Sequence, residues 1–109
     1  MTRGDTLVRE FPVSTIIPLN EKSLPASCLV FKHSTTCGIS AGAAREVRAM
    51  SSELPIYWIN VREQRDLSNW VAETYAVTHE SPQLILIKDG KAAKVWSHYD
   101  VHRSNVEPV

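Results

Sequence analysis

The chain has no excess of charge of either sign: 12 lysines and arginines face 12 aspartates and glutamates, for a formal net charge of zero. Nucleic-acid binding needs a basic face, so this balance points away from a nucleic-acid partner. No apolar run approaches the ~20 residues that span a bilayer, and no membrane association is expected. The opening residues Met1-Thr2-Arg3-Gly4-Asp5-Thr6 lead into no long apolar segment, so no secretory signal is expected. Cys28 and Cys37 are the two cysteines, too few for a disulfide framework. The expected compartment is therefore the reducing cytoplasm. Internal repeats and low-complexity tracts are missing as well. A length of 109 residues allows one core. The expected organisation is a loose polar leader over 1–12, which contains Pro12, followed by one domain over 13–109.

What the chain does have is concentrated in Cys28-Leu29-Val30-Phe31-Lys32-His33-Ser34-Thr35-Thr36-Cys37-Gly38-Ile39-Ser40. It begins as a continuous apolar run of the kind found in strands buried on both faces. Three hydroxyl residues follow, which is helix N-cap chemistry. Ile39, Ala43, Ala44, Val47 and Met50 then recur at helical spacing. Cys37 is thus expected where a buried strand hands over to a helix N-terminus. Free N–H groups and the helix dipole there favour the thiolate, the form that attacks disulfides.

The remaining elements follow in order. Val13–Leu19 reads as an outer strand, with Pro18 suited to an edge. Residues 20–27 have room for one or two helical turns. Leu54-Pro55 ends the helix that follows Cys37, and Ile56–Val61 reads as a second buried strand. Asp66 is placed to cap a helix carrying Leu67, Trp70, Val71 and Tyr75 on one face. Asp89-Gly90 marks a hairpin between strands Gln83–Lys88 and Lys91–Ser97. A short terminal helix capped by Asp100 would turn Val101 and Val106 inward. Strands separated by helices are expected to be parallel, with the hairpin adding antiparallel ones. The fold class is α/β, a mixed central sheet with helices on both faces.

A thiol after the second strand and a proline just before the hairpin resemble the thioredoxin-like fold. More narrowly, Phe31-Lys32-His33-Ser34-Thr35-Thr36-Cys37-Gly38-Ile39-Ser40 resembles the YtxJ family, the monothiol bacilliredoxins. His79-Glu80-Ser81-Pro82-Gln83 and Ser97-His98-Tyr99-Asp100 are similar to that family's later motifs, so the likeness runs from about residue 28 to 102. Gly38 departs from the family, which usually carries proline there; glycine keeps an N–H that proline lacks. The resemblance implies a monothiol thiol-disulfide oxidoreductase that reduces mixed disulfides between client proteins and bacillithiol. Bacillithiol would be a co-substrate rather than a cofactor. The partners would be S-bacillithiolated proteins and a low-molecular-weight thiol. It also implies a cis bond at Pro82, facing the thiol of Cys37.

The candidate site residues are Cys37 as nucleophile, with Lys32, His33, Thr36, Gly38, Ser40, Ser81 and Pro82 stabilising the thiolate or binding substrate. Lys32 and His33 adjoin on a strand, so they point to opposite faces. Lys32 suits either a solvated strand end or a ligand carboxylate, while His33 favours a structural hydrogen bond. Ser40 takes the place of the second cysteine of a C-x-x-C pair and cannot resolve a mixed disulfide; a helix-start hydrogen bond to Cys37 is its expected role. Cys28 begins the strand, roughly 17 Å of extended chain from its end, beyond the ~7 Å a disulfide allows. His79-Glu80 opens like the zinc motif H-E-x-x-H, but Gln83 stands at its second histidine, so no metal is expected. Cys37-Gly38-Ile39-Ser40 is also similar to the monothiol glutaredoxins, which carry iron–sulfur clusters, but the glycine pair those use to hold glutathione is missing after the hairpin. Arsenate reductases have arginine where Ala41 stands, and a cysteine phosphatase needs arginine where Ala43 stands. A non-catalytic thioredoxin-fold interaction module is the remaining alternative.

Overall fold

The computed structural model describes residues 15–36 and 38–107. The leader expected over 1–12 and Cys37 itself lie outside the described residues. Strands β1 (Ile16–Pro18), β2 (Cys28–His33), β3 (Ile56–Asn60), β4 (Gln83–Lys88) and β5 (Lys91–Ser97) form one sheet. The helices among the described residues are α1 (Gly38–Ala49), α2 (Arg65–Tyr75) and α3 (Arg103–Val106), with a 3₁₀ turn at His98–Asp100 between β5 and α3. The spatial order is β1-β3-β2-β4-β5. β1 and β2 run parallel to β3, β4 runs antiparallel to β2, and β5 returns antiparallel to β4.

β2 lies at the centre, and its alternation divides the core. Leu29 and Phe31 join Ala43, Ala44 and Val47 of α1, with Val101 and Val106 closing that side. Cys28 and Val30 face the other way, toward Ile59, Val71, Val77 and Ile85 beneath α2. A strand buried on both faces needs a continuous apolar run, and β2 supplies one. Met50, just past α1, completes the first cluster. Trp96 is buried in the core, whereas Trp58 and Trp70 pack against it half-buried. Pro18 is exposed at the end of edge strand β1. Asp89 and Gly90 both have positive φ, the geometry of a type I′ hairpin turn.

Four expectations are corrected. Residues 20–27 form no helix. Pro25 removes a donor and disfavours helical backbone at Leu24, and so short a segment cannot offset the cost of helix nucleation. Asp66 does not cap α2: the N-cap is Gln64, whose amide instead accepts from Asn60 N–H at 3.0 Å and donates to Leu19 O at 2.8 Å. Asp100 lies in the 3₁₀ turn, and His102 caps α3 by accepting from Ser104 N–H. Finally, β4 is antiparallel to the other strands although α2 separates it from β3. The residues between α2 and β4 are long enough to bring the chain back to the end where β2 finishes, so Gln83 pairs with Lys32. The parallel rule holds for strands joined by a helix crossover alone, and this connection adds a return loop.

Candidate active site

That reversal brings three chain segments to one end of the sheet. β2 ends at His33, α1 begins at Gly38, and β4 begins at Gln83, immediately after a cis Ser81–Pro82 bond. Cys37 is bonded to Gly38, the first residue of α1. The first N–H groups of a helix have no partner within it, so the chain enters α1 at its electropositive end. Pro82 is buried, and its carbonyl accepts from His98 N–H at 2.8 Å, which ties the end of β5 to this loop.

Ser40 fastens the approach to the thiol. Its side chain is fully buried. Ser34 N–H donates to Ser40 Oγ at 2.9 Å, and His33 Nδ1 lies 2.8 Å from the same oxygen. An oxygen that accepts from Ser34 has its own proton free to donate to a neutral imidazole. His33 suits that role. Burial, then the positive charge of Arg48, lower its pKa, partly opposed by the Ser40 hydrogen bond and Glu63. The ring packs 5.4 Å from Trp58 and 5.9 Å from Phe31. The expected bond from Ser40 to Cys37 lies outside the described residues. Ser40→Ala should destabilise the fold by about 1–3 kcal/mol, because the Ser34 N–H loses a partner in a partly buried place; urea unfolding at neutral pH measures this.

Lys32 goes to the opposite face, and not to solvent. It is fully buried, and its Nζ lies 3.1 Å from His79 Nδ1. Ser68 Oγ of α2 lies 3.2 Å from the same nitrogen. Burial lowers the Lys32 pKa to about 8. Burial, then the charges of Lys32 and Arg65, lower that of His79, leaving a neutral ring whose one Nδ1 lone pair can accept from the Lys32 ammonium. Lys32 is therefore neither the solvated strand end nor an open carboxylate contact. It braces the strand against the loop that leads to Pro82. Sequence reasoning missed His79 and Ser68 here, and only a lysine inside an apolar strand hinted that a partner was required.

Thr36 is exposed, with Arg62 Nη1 donating to its Oγ1 at 3.2 Å, so a cation lies beside the residue before Cys37. The Arg62 contact comes from the turn after β3 and had no signal in the sequence. Gly38 is exposed, and a Cβ built there meets nothing within 4 Å. Gly38→Pro should therefore raise stability by about 0.4–1 kcal/mol by restricting the unfolded chain; a lower melting temperature would mean that the ring does not fit at the start of α1. Ser81 Oγ and Gln83 Oε1 are buried without a hydrogen-bond partner among the described residues. Cys28 lies at the far end of β2, fully buried, and burial pushes its thiol up to about 11.

The described residues thus bring the start of α1, which directly follows Cys37 in the chain, and a cis-proline loop to one end of a mixed sheet. Residues 13–106 match the family model of the monothiol bacilliredoxin BrxC. The chain belongs to that family. Its neighbours of known structure agree with the fold. A thioredoxin-fold protein described as a candidate oxidoreductase is 28% identical, with a TM-score of 0.74, over 84% of this chain and 90% of its own. Thioredoxin of Malassezia sympodialis is 12% identical, with a TM-score of 0.62, over 86% of this chain and 87% of its own. Thioredoxin of Fasciola hepatica is 23% identical, with a TM-score of 0.53, over 69% and 70%. Membership of the monothiol bacilliredoxins makes this a thiol oxidoreductase with a thioredoxin-like fold. No helix among the described residues is long and apolar enough to cross a membrane.

Proposed function

We propose that the protein removes bacillithiol from S-bacillithiolated client proteins in the cytoplasm, through Cys37 alone. The Cys37 thiolate attacks the bacillithiol sulfur of the mixed disulfide. A bond forms between those two sulfurs, the bond to the client sulfur breaks, and the client leaves as a thiolate that takes a proton from water. A second low-molecular-weight thiol, as thiolate, then attacks the same bacillithiol sulfur. It forms a small-thiol disulfide and releases the Cys37 thiolate. Departure at each step is faster for the more acidic thiol. The backbone beside Pro82 would hold the extended part of the client by strand-like pairing. Thr36, Gly38 and the Arg62 charge would favour the thiolate, and the Ser81–Pro82 loop would orient the substrate.

One observation carries the monothiol reading: Ser40 stands in the first turn of α1 with its hydroxyl committed to His33 and Ser34, while Cys28 is buried at the other end of β2. Intact mass after mixing with bacillithiol disulfide or with glutathione disulfide tests the proposal. One bacillithiol adduct at Cys37, and no glutathione adduct, is expected. Equal adducts with both would remove the bacillithiol assignment, and no adduct with either would remove the exchange chemistry.

A further inference from the structure

A groove of about 300 Å³ opens beside the start of α1, between that helix and the turn that follows β5. Gly38 is part of its wall, so its edge lies one peptide bond from Cys37. The opposite wall is His98 and Tyr99 of the 3₁₀ turn. Tyr99 is the most exposed large hydrophobic side chain among the described residues, at 81%. His98 has a φ of 55°, unusual for a residue with a side chain. Its backbone is held in place by the bond to Pro82 O and by Val101 N–H donating to its carbonyl at 3.2 Å. The groove thus lies between the helix that begins after the thiol and a turn anchored on the Pro82 loop.

Its charges are unequal. Glu46 lines the groove but is already engaged: Arg103 N–H donates to its Oε1 at 3.1 Å, with His102 Nε2 and Arg103 Nε both 3.6 Å away. The His98 ring faces Glu80 at 3.7 Å. Arg45 also lines the groove, with its guanidinium passing over Gly42, and no carboxylate among the described residues pairs with it. Guanidinium is a planar fork of donors matched to carboxylate.

We infer that this groove is the subsite for the non-sulfur part of the small thiol, and that it selects thiols carrying a carboxylate through Arg45. The inference rests on the exchange chemistry proposed above. A disulfide entering from this side would place a sulfur near the Cys37 thiol, its carboxylate on Arg45 and its chain along Tyr99. The client polypeptide would remain on the side of Pro82. The two halves of a mixed disulfide would then occupy different walls of one site.

The test uses two symmetrical disulfides, that of 3-mercaptopropionate, which carries carboxylates, and that of 2-mercaptoethanol, which is neutral. Rates of adduct formation at Cys37 are followed by intact mass in the wild type, Arg45→Glu and Lys91→Glu. Lys91 lies at the hairpin end of β5, away from the groove, and its reversal changes net charge equally. The expected result is that Arg45→Glu lowers the ratio of the carboxylate rate to the neutral rate by about tenfold or more, while Lys91→Glu changes it less than twofold. An unchanged ratio in Arg45→Glu, or equal falls in both variants, would overturn the subsite and leave the exchange chemistry standing. If neither disulfide modifies Cys37 in the wild type, the subsite inference falls, while the exchange chemistry is decided separately by the adduct with bacillithiol disulfide.

Discussion

Cys37→Ser should bring thiol exchange down to the uncatalysed level, and Cys28→Ser should leave turnover close to that of the wild type. Cys28 lacks the exposure and acidity that a reactive thiol needs. It has no exposed surface, its thiol is pushed up to about 11 by burial, and among the described residues that thiol makes a long contact of 3.8 Å to Pro25 O. At neutral pH it is protonated and out of reach of a disulfide. Cys37 directly precedes α1 in the chain and follows Thr36, whose hydroxyl accepts from the Arg62 guanidinium. Cys28→Ser should instead lower stability by about 1–3 kcal/mol, the typical cost of burying a hydroxyl with poor hydrogen bonding. Turnover on a mixed-disulfide client, with urea unfolding alongside, reads both effects. A Cys28→Ser protein that folds normally but no longer turns over would make Cys28 the resolving thiol and end the monothiol mechanism.

Lys32→Met should stabilise the protein at pH 7 and remove a step from its pH dependence. Burial lowers the Lys32 pKa from its ordinary 10.5 to about 8. At about 1.4 kcal/mol per pH unit, this amounts to about 3 kcal/mol. Below about pH 8 the amine is protonated in both folded and unfolded chains, and the whole penalty for burying an ammonium is present. Between about 8 and 10.5 the unfolded chain keeps a proton that the folded one has lost, so stability rises with pH. Methionine has a similar shape without a charge, and replacing a buried charge by a fitting apolar side chain is often stabilising. His79, the partner left behind, is exposed and can be hydrated. The variant should exceed the wild type by up to about 3 kcal/mol at pH 7, and this advantage should shrink toward pH 10.5. Urea titrations across that range measure it, and a difference that does not vary with pH would mean that Lys32 carries no buried proton.

Elements with a strong local signal could be read from the sequence alone. β2 and β3 are apolar runs too short for core helices, the Asp89-Gly90 turn carries its own backbone geometry, and α1 shows a clean apolar stripe. The thioredoxin-like class followed from their order together with the motifs around Cys37 and Pro82. Features set by distant contacts could not be read. Asp66 has the right chemistry for a cap, yet Gln64 holds that position because its amide bridges Asn60 and Leu19 across the fold. The direction of β4 depends on a return loop that has no periodicity. The alternation along β2 placed Lys32 and His33 on opposite faces, but not their partners. Ser68 is 36 positions from Lys32 in the sequence and meets it through His79, and no spacing rule connects them.

The hydroxyl at position 40 also fixes what the redox state of the protein can report. Cys37 exchanging with a small disulfide consumes one disulfide and releases one thiol. At equilibrium the loaded fraction therefore follows the ratio of disulfide to thiol, and diluting the whole pool at constant ratio leaves it unchanged. A second thiol in place of Ser40 would close an internal disulfide and release two small thiols, so that the oxidised fraction would depend on the square of the thiol concentration. With its position 40 oxygen held by Ser34 and His33, the protein on the proposed chemistry is a ratio meter for its thiol pool, insensitive to how large that pool is.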